Sequence, residues 1–134
     1  MKRKKVYVCA PWRGSSFEEQ EANKTRTMRY WYYLYYNGYH PIAPQLLYGW
    51  LLNDNDPQER RDGMDAGQEE LLRCDELWAF GNVISAGMKE EIRLAVEHGI
   101  PINYIRDDEL SEVLKKSKKP PASWHSTDGT GKNP

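Results

Sequence analysis

Cysteine and histidine are scarce in this sequence, which limits the kinds of site that it can build. The 134 residues include two cysteines and three histidines. His40, His98 and His125 have no metal-ligand spacing with one another or with a cysteine, so we expect no metal site. Cys9 and Cys74 lie far apart in sequence, each beside apolar residues, and we expect both to be reduced and buried.

A strong charge of one sign and a long hydrophobic run are also absent. The formal net charge is −1 and the isoelectric point is near 6.3, which gives no reason to expect duplex nucleic acid or an anionic membrane as a partner and favours a small-molecule ligand. No apolar run approaches the roughly 20 residues that span a bilayer. The basic start, residues 1–5, leads into a short strand rather than a signal-peptide core, so we expect a soluble, cytoplasmic protein.

Short apolar runs alternate with longer helical patterns along the chain. Strands are predicted at residues 4–10, 39–44, 76–80 and 100–105, helices at 16–37, 57–74, 87–98 and 107–117, and a short helix or structured loop at 45–54. Ser16 and Asp56 are predicted N-caps, and the glutamates three residues later, Glu19 and Glu59, predict capping boxes. Glycine follows two of the helices, at Gly38 and Gly99, where a left-handed conformation ends a helix.

The alternation of strands and helices predicts a parallel sheet, because parallel neighbours need crossover connections. We expect an α/β fold, a single-domain Rossmann-like (flavodoxin-like) three-layer sandwich with a short parallel sheet of about four to five strands. The domain is expected to cover residues 1–117, followed by a mobile tail, 118–134, that is rich in Lys, Pro, Ser and Gly. In such sheets, ligands bind beyond the carboxyl ends of the strands, near the point where the strand order reverses.

Two loops at that edge, 10–16 and 81–87, are the expected ligand-binding segments. A helix with two adjacent glutamates, Glu90 and Glu91, follows the second loop. The apolar residues of this helix form one stripe, at about 100° per residue, that we expect to face the sheet: Met88, Ile92, Ala95 and Val96. Glu90 then points to solvent. Glu91 lies at the rim of the core, where it is either a functional carboxylate or an ordinary boundary charge paired with a basic neighbour.

Several motifs together resemble one protein superfamily. They are "CAPWRG" (9–14), "YHPIAP" (39–44), "LLRCDELWAF" (71–80), "SAGMKEEIRLA" (85–95) and "HGIPINYI" (98–105). In this order they are similar to the nucleoside 2-deoxyribosyltransferase superfamily, and several of them to its 2′-deoxynucleoside 5′-monophosphate N-glycosidase branch. The combination is especially similar to small phage and bacterial members of that superfamily. The resemblance covers about residues 5–105.

This resemblance implies cleavage or exchange of the N-glycosidic bond of a nucleoside or nucleoside 5′-monophosphate, without a cofactor. Glu91 matches the family's nucleophile, which attacks the anomeric carbon and forms a glycosyl ester. Tyr7 matches a tyrosine that orients this nucleophile in many transferases. The active enzymes also carry an aspartate eight residues before the position of Asp75, but here that position is Gly67. Asp65 is the nearest candidate to replace it.

The resemblance also implies a phosphate site. Ser85 matches a residue that binds the 5′-phosphate, Gly87 would let backbone N–H groups approach the same anion, and Arg13 could pair with it bidentately. The full set of candidate substrate-binding residues is Pro11, Trp12, Arg13, Gly14, Asn82, Ser85, Gly87 and Met88. Structural alternatives stay open: Ser85 as a helix N-cap, Gly87 as a turn residue, Arg13 as a solvated charge, and Trp12 as a cover for the sheet edge or a stacking surface for a nucleobase.

Other conspicuous residues are interpreted structurally. Asp75 is expected to fix a helix-to-strand turn through backbone hydrogen bonds. Arg60 and Arg61 lie in the first turn of a helix, where positive charge opposes the helix dipole, and a salt bridge to Glu59 or Asp62 is the simplest explanation. The tyrosine cluster of the first helix is expected to serve as core and as an oligomer interface.

Three functions remain open from the sequence. The leading one is an enzyme of the nucleoside deoxyribosyltransferase or nucleotide N-glycosidase type. The second is a non-catalytic module of the same fold that binds a nucleotide or an NAD-derived signal. The third is an interaction protein that uses the aromatic-rich first helix. Because superfamily members commonly assemble as oligomers, the resemblance further implies a homodimer or a higher homo-oligomer.

Overall fold

The computed structural model describes residues 2–110 of the chain. Strands and helices alternate through this part, with the following bounds: β1 Lys5–Cys9, α1 Phe17–Tyr36, β2 His40–Ile42, α2 Pro44–Leu51, α3 Pro57–Leu72, β3 Glu76–Phe80, α4 Ala86–Glu97 and β4 Ile102–Ile105. Residues 107–110 are helical. The rest of the expected helix at 107–117 and the expected tail at 118–134 lie outside the described residues.

The four strands form one parallel sheet in the order β2-β1-β3-β4. Val6 of β1 is aligned with Pro41 of β2 on one side and with Glu76 of β3 on the other, and Leu77 is aligned with Ile102 of β4. The chain moves from β1 to one side of the sheet and then returns to the other side, so the strand order reverses between β1 and β3. The predicted Rossmann-like α/β fold is confirmed.

Helices cover both faces of the sheet, and β1 contributes side chains to both cores because neighbouring residues of a strand point to opposite faces. One core lies against α1 and contains Val6, Val8, Ala10, Tyr30, Tyr33, Leu34, Trp78, Phe80 and Leu110. The other lies against α3 and α4 and contains Tyr7, Cys9, Leu71, Cys74, Leu77, Ala79, Met88 and Ala95. Tyr7 and Cys9 therefore point into the same layer as α4.

Burial explains why α1 is a helix despite its many aromatic residues, which favour strands. Tyr30 and Tyr33 are buried, and the Tyr30 ring stacks on Phe80 with centroids 4.5 Å apart. On the outer surface of the helix, Trp31 stacks on Tyr35 at 5.4 Å. The tyrosine cluster is thus divided between the core and the surface, and only its core part is accounted for by the fold.

The predicted helix ends are confirmed, but the two capping boxes are not closed. The Ser16 and Asp56 side chains accept hydrogen bonds from the first turns of α1 and α3, and Gly38 and Gly99 have positive φ values of 92° and 70°. The glutamates bond to the preceding loops instead of returning to the N-caps. The Glu19 carboxylate accepts from Ser15.

The second glutamate, Glu59, accepts from the Asn53 backbone N–H at 2.7 Å. Asp75 has its expected role: Oδ2 accepts from Lys5 N at 2.8 Å, and its own N–H donates to Lys5 O at 2.8 Å. This pair fixes the starts of β1 and β3 side by side.

Within residues 2–110, none of the helices combines the length and the apolar character needed to cross a bilayer.

Candidate active site

A hydrogen-bonded pair, Tyr7 and Glu91, lies where β1 meets α4. The Tyr7 hydroxyl donates to Glu91 Oε2 at 2.7 Å. Tyr7 is buried and Glu91 is half-buried. The pair joins one of the two central strands to the helix that follows the other, at the switch point where ligands of open α/β sheets bind. The structure thus brings together the two residues that the resemblance named first.

The thiol of Cys9 lies near the same carboxylate. Cys9 is two residues after Tyr7 on β1, so both side chains lie on the face covered by α4. Its thiol donates to the Met88 carbonyl oxygen at 3.9 Å, and it is close enough to the Glu91 carboxylate for each group to shift the pKa of the other. Both cysteines are free and buried, as expected.

Burial controls the protonation of this cluster. Desolvation raises the pKa of Glu91, while the neighbouring Tyr7 hydroxyl and Cys9 thiol act in the opposite direction. The pKa values of Tyr7 and Cys9 are also raised, first by their own burial and then by the Glu91 carboxylate. Tyr7 and Cys9 therefore stay protonated as donors, and Glu91 is the member of the cluster that titrates at the lowest pH.

The position of Glu91 depends on how α4 is rotated against the sheet. The predicted apolar stripe included Val96, but this side chain is 63% exposed, whereas Met88 and Ala95 are fully covered. That part of the prediction is wrong, because the helix turns its Glu91 side, and not its Val96 side, toward β1. Glu90 is exposed and bonds to Arg93 at 3.0 Å, as expected for a solvent-facing charge.

The helix α3 approaches the pair at Gly67. A Cβ atom at this buried glycine would lie 3.5 Å from the Tyr7 hydroxyl oxygen, which is an ordinary van der Waals distance. Position 67 thus faces the Tyr7 hydroxyl directly. Asp65 is exposed, and two residues along a helix place it on a different face. The structure does not bring Asp65 to the pair.

The first turn of α4 has an N-cap residue, and the space beside Gly87 in that turn is empty. Ser85 is the N-cap, and its hydroxyl accepts from Met88 N at 3.3 Å. A Cβ at Gly87 would meet no atom within 4 Å, so packing does not require glycine there. The Met88 side chain is buried in the core under α4.

The loop after β1 is held against two helices. The Trp12 ring packs on Gly49 of α2, where a Cβ would lie 2.0 Å from a ring carbon. The Trp12 carbonyl accepts from Asn23 Nδ2 at 3.1 Å. Gly14 lies against the start of α1, where a Cβ would approach the backbone of Gln20 at 2.8 Å. Pro11 and Trp12 are half-buried. These contacts hold the loop in place at the carboxyl edge of the sheet.

Two arginines share one carboxylate beside this loop. Arg13 Nε and Arg60 Nη1 each lie 3.6 Å from Asp54 Oδ2. The predicted partner of Arg60 was Glu59 or Asp62, but Glu59 binds the Asn53 backbone and Asp62 accepts from a glutamine side chain. The group carries two positive charges and one negative charge, so it has a net positive charge.

Asn82 has a structural contact in the loop after β3. Its Oδ1 accepts from the Asp107 backbone N–H at 3.0 Å, and the Asp107 carboxylate in turn accepts from the Tyr30 hydroxyl at 2.8 Å. This chain of bonds ties the loops after β3 and β4 to α1.

Gln45 is a polar residue at the same edge that sequence reasoning missed. Its Nε2 donates to the Val8 carbonyl oxygen at 3.1 Å, beyond the end of β2. Within residues 2–110, its Oε1 is buried and has no hydrogen-bond partner, and buried acceptors usually have one. Its position in the sequence could have indicated this role, because Gln45 lies in the first turn of α2, directly after the parallel strand β2.

Besides the Tyr7–Glu91 pair, a metal-binding group and an apolar pocket are the other kinds of site that the described residues could form. In the part of the chain that is described, no three His, Cys, Asp or Glu side chains converge as a metal-binding group. A shallow apolar depression of about 200 Å³ lies on α1 and α2, lined by Met28, Trp31, Tyr32 and Leu46. It does not include the Tyr7–Glu91 pair.

The chain is similar to one protein family in sequence and to solved structures in fold. The sequence profile of a family described as "Domain of unknown function (DUF7768)" matches residues 4–105. No curated protein matches the sequence at a significant level. Among solved structures, the chain is similar to a 2-deoxyribosyltransferase from Bacillus psychrosaccharolyticus, with a TM-score of 0.56 and 15% identity over 76% of this chain and 72% of that chain. A CMP N-glycosidase from Clostridium botulinum has a TM-score of 0.41 and 18% identity over 84% of this chain and 96% of that chain.

At 15% identity, the likeness to the 2-deoxyribosyltransferase concerns the fold. The family profile spans all four strands and the residues of the Tyr7–Glu91 pair. The chain therefore belongs to the DUF7768 family, and it has a nucleoside 2-deoxyribosyltransferase-like fold.

Proposed function

We propose that this protein cleaves or exchanges the N-glycosidic bond of a nucleoside or nucleoside 5′-monophosphate, with Glu91 as the nucleophile. The observation that carries the proposal is the half-buried Glu91 carboxylate, held by the Tyr7 hydroxyl at 2.7 Å at the switch point of the sheet. A carboxylate placed by a neutral donor, rather than by a salt bridge, keeps its negative charge for the substrate.

The reaction has two steps. A Glu91 oxygen attacks the anomeric carbon as the bond to the base nitrogen breaks, and the bonding electrons leave with the base. This gives a glycosyl ester of Glu91 and passes through a transition state with oxocarbenium character, which a nearby anion stabilises. Water then attacks the anomeric carbon, forms the sugar hydroxyl and restores the carboxylate, and the proton that water loses neutralises the released base. In an exchange, the N–H nitrogen of a second base attacks instead, and its proton neutralises the first base in the same way.

Tyr7 and Cys9 are proposed as positioning residues for the nucleophile. Both residues lie on one strand, whose backbone is fixed on both sides by β2 and β3, and the Tyr7 hydroxyl bonds directly to Glu91. A half-buried carboxylate that accepts a hydrogen bond from a buried tyrosine has little freedom to rotate away from its line of attack. The proposed benefit is a preorganised nucleophile.

The proposed phosphate site lies between the first loop and the start of α4. Arg13 is exposed and shares Asp54 with Arg60 in ion pairs of 3.6 Å, so a phosphate can replace Asp54 at low cost. Backbone N–H groups at the start of α4 attract an anion, and the open space above Gly87 leaves room for one. Gln45, with its buried and unpartnered Oε1, is a further candidate for a substrate contact.

The test is base release from ribo- and deoxyribonucleosides and from their 5′-monophosphates, measured by chromatography with and without an acceptor base. Glu91→Gln keeps the size and the acceptor oxygen of the side chain but removes the charge, so it should abolish release by the folded protein. Glu90→Gln is the matched control, because Glu90 is the neighbouring glutamate and is exposed. It should retain wild-type activity.

The outcomes separate the alternatives. Release that depends on Glu91 but not on Glu90 supports the proposal. Saturable nucleotide binding without release would replace it with a binding module of the same fold. Absence of both binding and release would leave an interaction role for the aromatic surface of α1.

A further inference from the structure

The supply of protons around Glu91 restricts which base can leave. Breaking a bond to a purine or pyrimidine nitrogen places negative charge on the base, so such a base normally leaves with a proton from a general acid. Within residues 2–110, the Tyr7 hydroxyl hydrogen-bonds to Glu91, and the Cys9 thiol lies close enough to shift the pKa of Glu91. Burial and the neighbouring carboxylate raise the pKa of both, so proton transfer from either to a departing base is unfavourable.

A carboxylic acid would be the usual donor, but the neighbouring helix does not provide one. The residue of α3 that faces the Tyr7 hydroxyl is Gly67, and Asp65 is exposed on another face. Asp54, beside the first loop, is engaged by Arg13 and Arg60 in ion pairs of 3.6 Å each. The described part of the site therefore contains a nucleophile without a suitable acid.

We propose that the base leaves without needing a proton, and that the substrate is a pyridinium N-glycoside such as a nicotinamide nucleotide. This inference rests on the glycosidic reaction proposed above. In a pyridinium glycoside the ring nitrogen already carries a positive charge. When the bond from the anomeric carbon breaks, its electron pair returns to that nitrogen and neutralises it, so nicotinamide departs as a neutral molecule.

The balance of the reaction gives a distinctive product. In the first step, the Glu91 carboxylate and the cationic glycoside give a neutral glycosyl ester and neutral nicotinamide. In the second step, water attacks the anomeric carbon, which restores the carboxylate, forms the sugar hydroxyl and releases one proton to solvent. Hydrolysis of an adenine or cytosine nucleotide instead passes a proton to the base and releases none.

Other residues at this edge are compatible with such a substrate. The half-buried Trp12 ring, held on Gly49, provides an aromatic surface that can attract a cationic ring. Arg13 and Arg60 provide positive charge for the phosphate.

The first experiment compares substrates that differ in the base. Nicotinamide mononucleotide, nicotinamide riboside and NAD⁺ are set against AMP and CMP, with the deoxyribonucleotides dAMP and dCMP in the same panel. We expect kcat/KM for at least one pyridinium substrate to exceed that for AMP and CMP by about 100-fold, the usual contribution of a general acid. The release should require Glu91, persist in Glu90→Gln, and yield one proton per nicotinamide in a weakly buffered assay.

The second experiment supplies the missing acid. Gly67→Asp places a carboxyl group beside Tyr7, and it should raise the rate on AMP or CMP relative to the pyridinium substrate by at least about 10-fold. Gly67→Asn has the same shape without a titratable group and should not change this ratio. If the aspartate variant fails to fold, the substrate ratio and the proton yield of the wild-type protein still decide.

Failure of this inference can be distinguished from failure of the proposed function. Glu91-dependent release from AMP, CMP, dAMP or dCMP at rates equal to or above those for the pyridinium substrates overturns the inference and leaves the glycosidic function in place. Absence of Glu91-dependent release from every substrate overturns both.

Discussion

The Tyr7 hydroxyl donates a 2.7 Å hydrogen bond to Glu91 Oε2, across 84 residues of sequence. The bond joins a central strand to the helix after its neighbouring strand. Because both residues are held by regular structure, the carboxylate is positioned by the fold and not by a mobile loop. Most of what can be tested about this protein depends on that arrangement.

Replacing Tyr7 by phenylalanine should weaken catalysis and change its pH dependence. The lost hydrogen bond involves a charged acceptor, so kcat should fall by about 10- to 100-fold. Because the bond from Tyr7 lowers the pKa of Glu91, its loss should also move the acid limb of the kcat/KM profile to higher pH. Tyr104→Phe, on an exposed ring, is the control. An unchanged acid limb would argue against Tyr7 as a positioning residue.

The Glu91→Gln variant should be more stable than the wild-type protein at neutral pH. Burial raises the folded-state pKa of Glu91 above its ordinary value, so the stability linked to this group is present below the ordinary pKa and is lost as pH rises through the folded-state pKa. The melting temperature of the variant should therefore exceed that of wild type at pH 7, and the difference should shrink below about pH 4. Scanning calorimetry over this pH range measures it.

The neighbouring substitution is the contrast for that experiment. Glu90 is exposed, and Arg93 lowers its pKa, so Glu90→Gln should give no gain in melting temperature at pH 7. A lower melting temperature for Glu91→Gln than for wild type at neutral pH would mean that the hydrogen bonds outweigh the desolvation cost.

Replacing Arg13 by alanine should weaken recognition of a 5′-phosphate. We expect KM for nucleoside 5′-monophosphates to rise by about 10-fold, as for loss of a charge-assisted contact, with little change for the nucleosides. Asp54→Asn should have the opposite effect, because Asp54 competes for Arg13 and Arg60. Arg93→Ala removes an exposed arginine of α4 and serves as the control. An equal rise in KM for nucleosides and monophosphates would contradict a phosphate role.

Replacing Gly49 by alanine should displace Trp12 and destabilise the protein. The added Cβ would lie 2.0 Å from a Trp12 ring carbon, and overpacking of this kind costs about 1–3 kcal/mol. Urea denaturation followed by tryptophan fluorescence would report both the stability and the ring environment. Gly87→Ala is the matched control for stability, since no atom lies within 4 Å of its Cβ, and a helix favours alanine over glycine by up to about 1 kcal/mol. Equal stability of the two variants would show that Trp12 is free to move.

Local patterns predicted the elements of this fold well. The strand runs, the N-caps Ser16 and Asp56, and the glycines after the helices all correspond to observed features. The pattern also separated the exposed Glu90 from the half-buried Glu91. These features depend on residues close together in sequence, which is why one sequence suffices to predict them.

Predictions that required a specific partner succeeded less often. Glu19 and Glu59 bind loop residues instead of closing capping boxes, and Arg60 pairs with Asp54. Long polar side chains have several partners within reach, and small differences in backbone path select among them. The roles of the site residues, the oligomeric state and the tail remain predictions.

The sequence by itself determined a parallel α/β domain and two loops at one edge of its sheet, because hydrophobic periodicity and turn residues act locally. Only the tertiary structure decided which groups meet there. The rotation of α4 exposes Val96 and turns Glu91 toward Tyr7 and Cys9, and the approach of α3 places Gly67, rather than Asp65, against the Tyr7 hydroxyl. Both outcomes follow from packing each helix on the sheet, which minimises voids over the whole interface and is not encoded in any single motif.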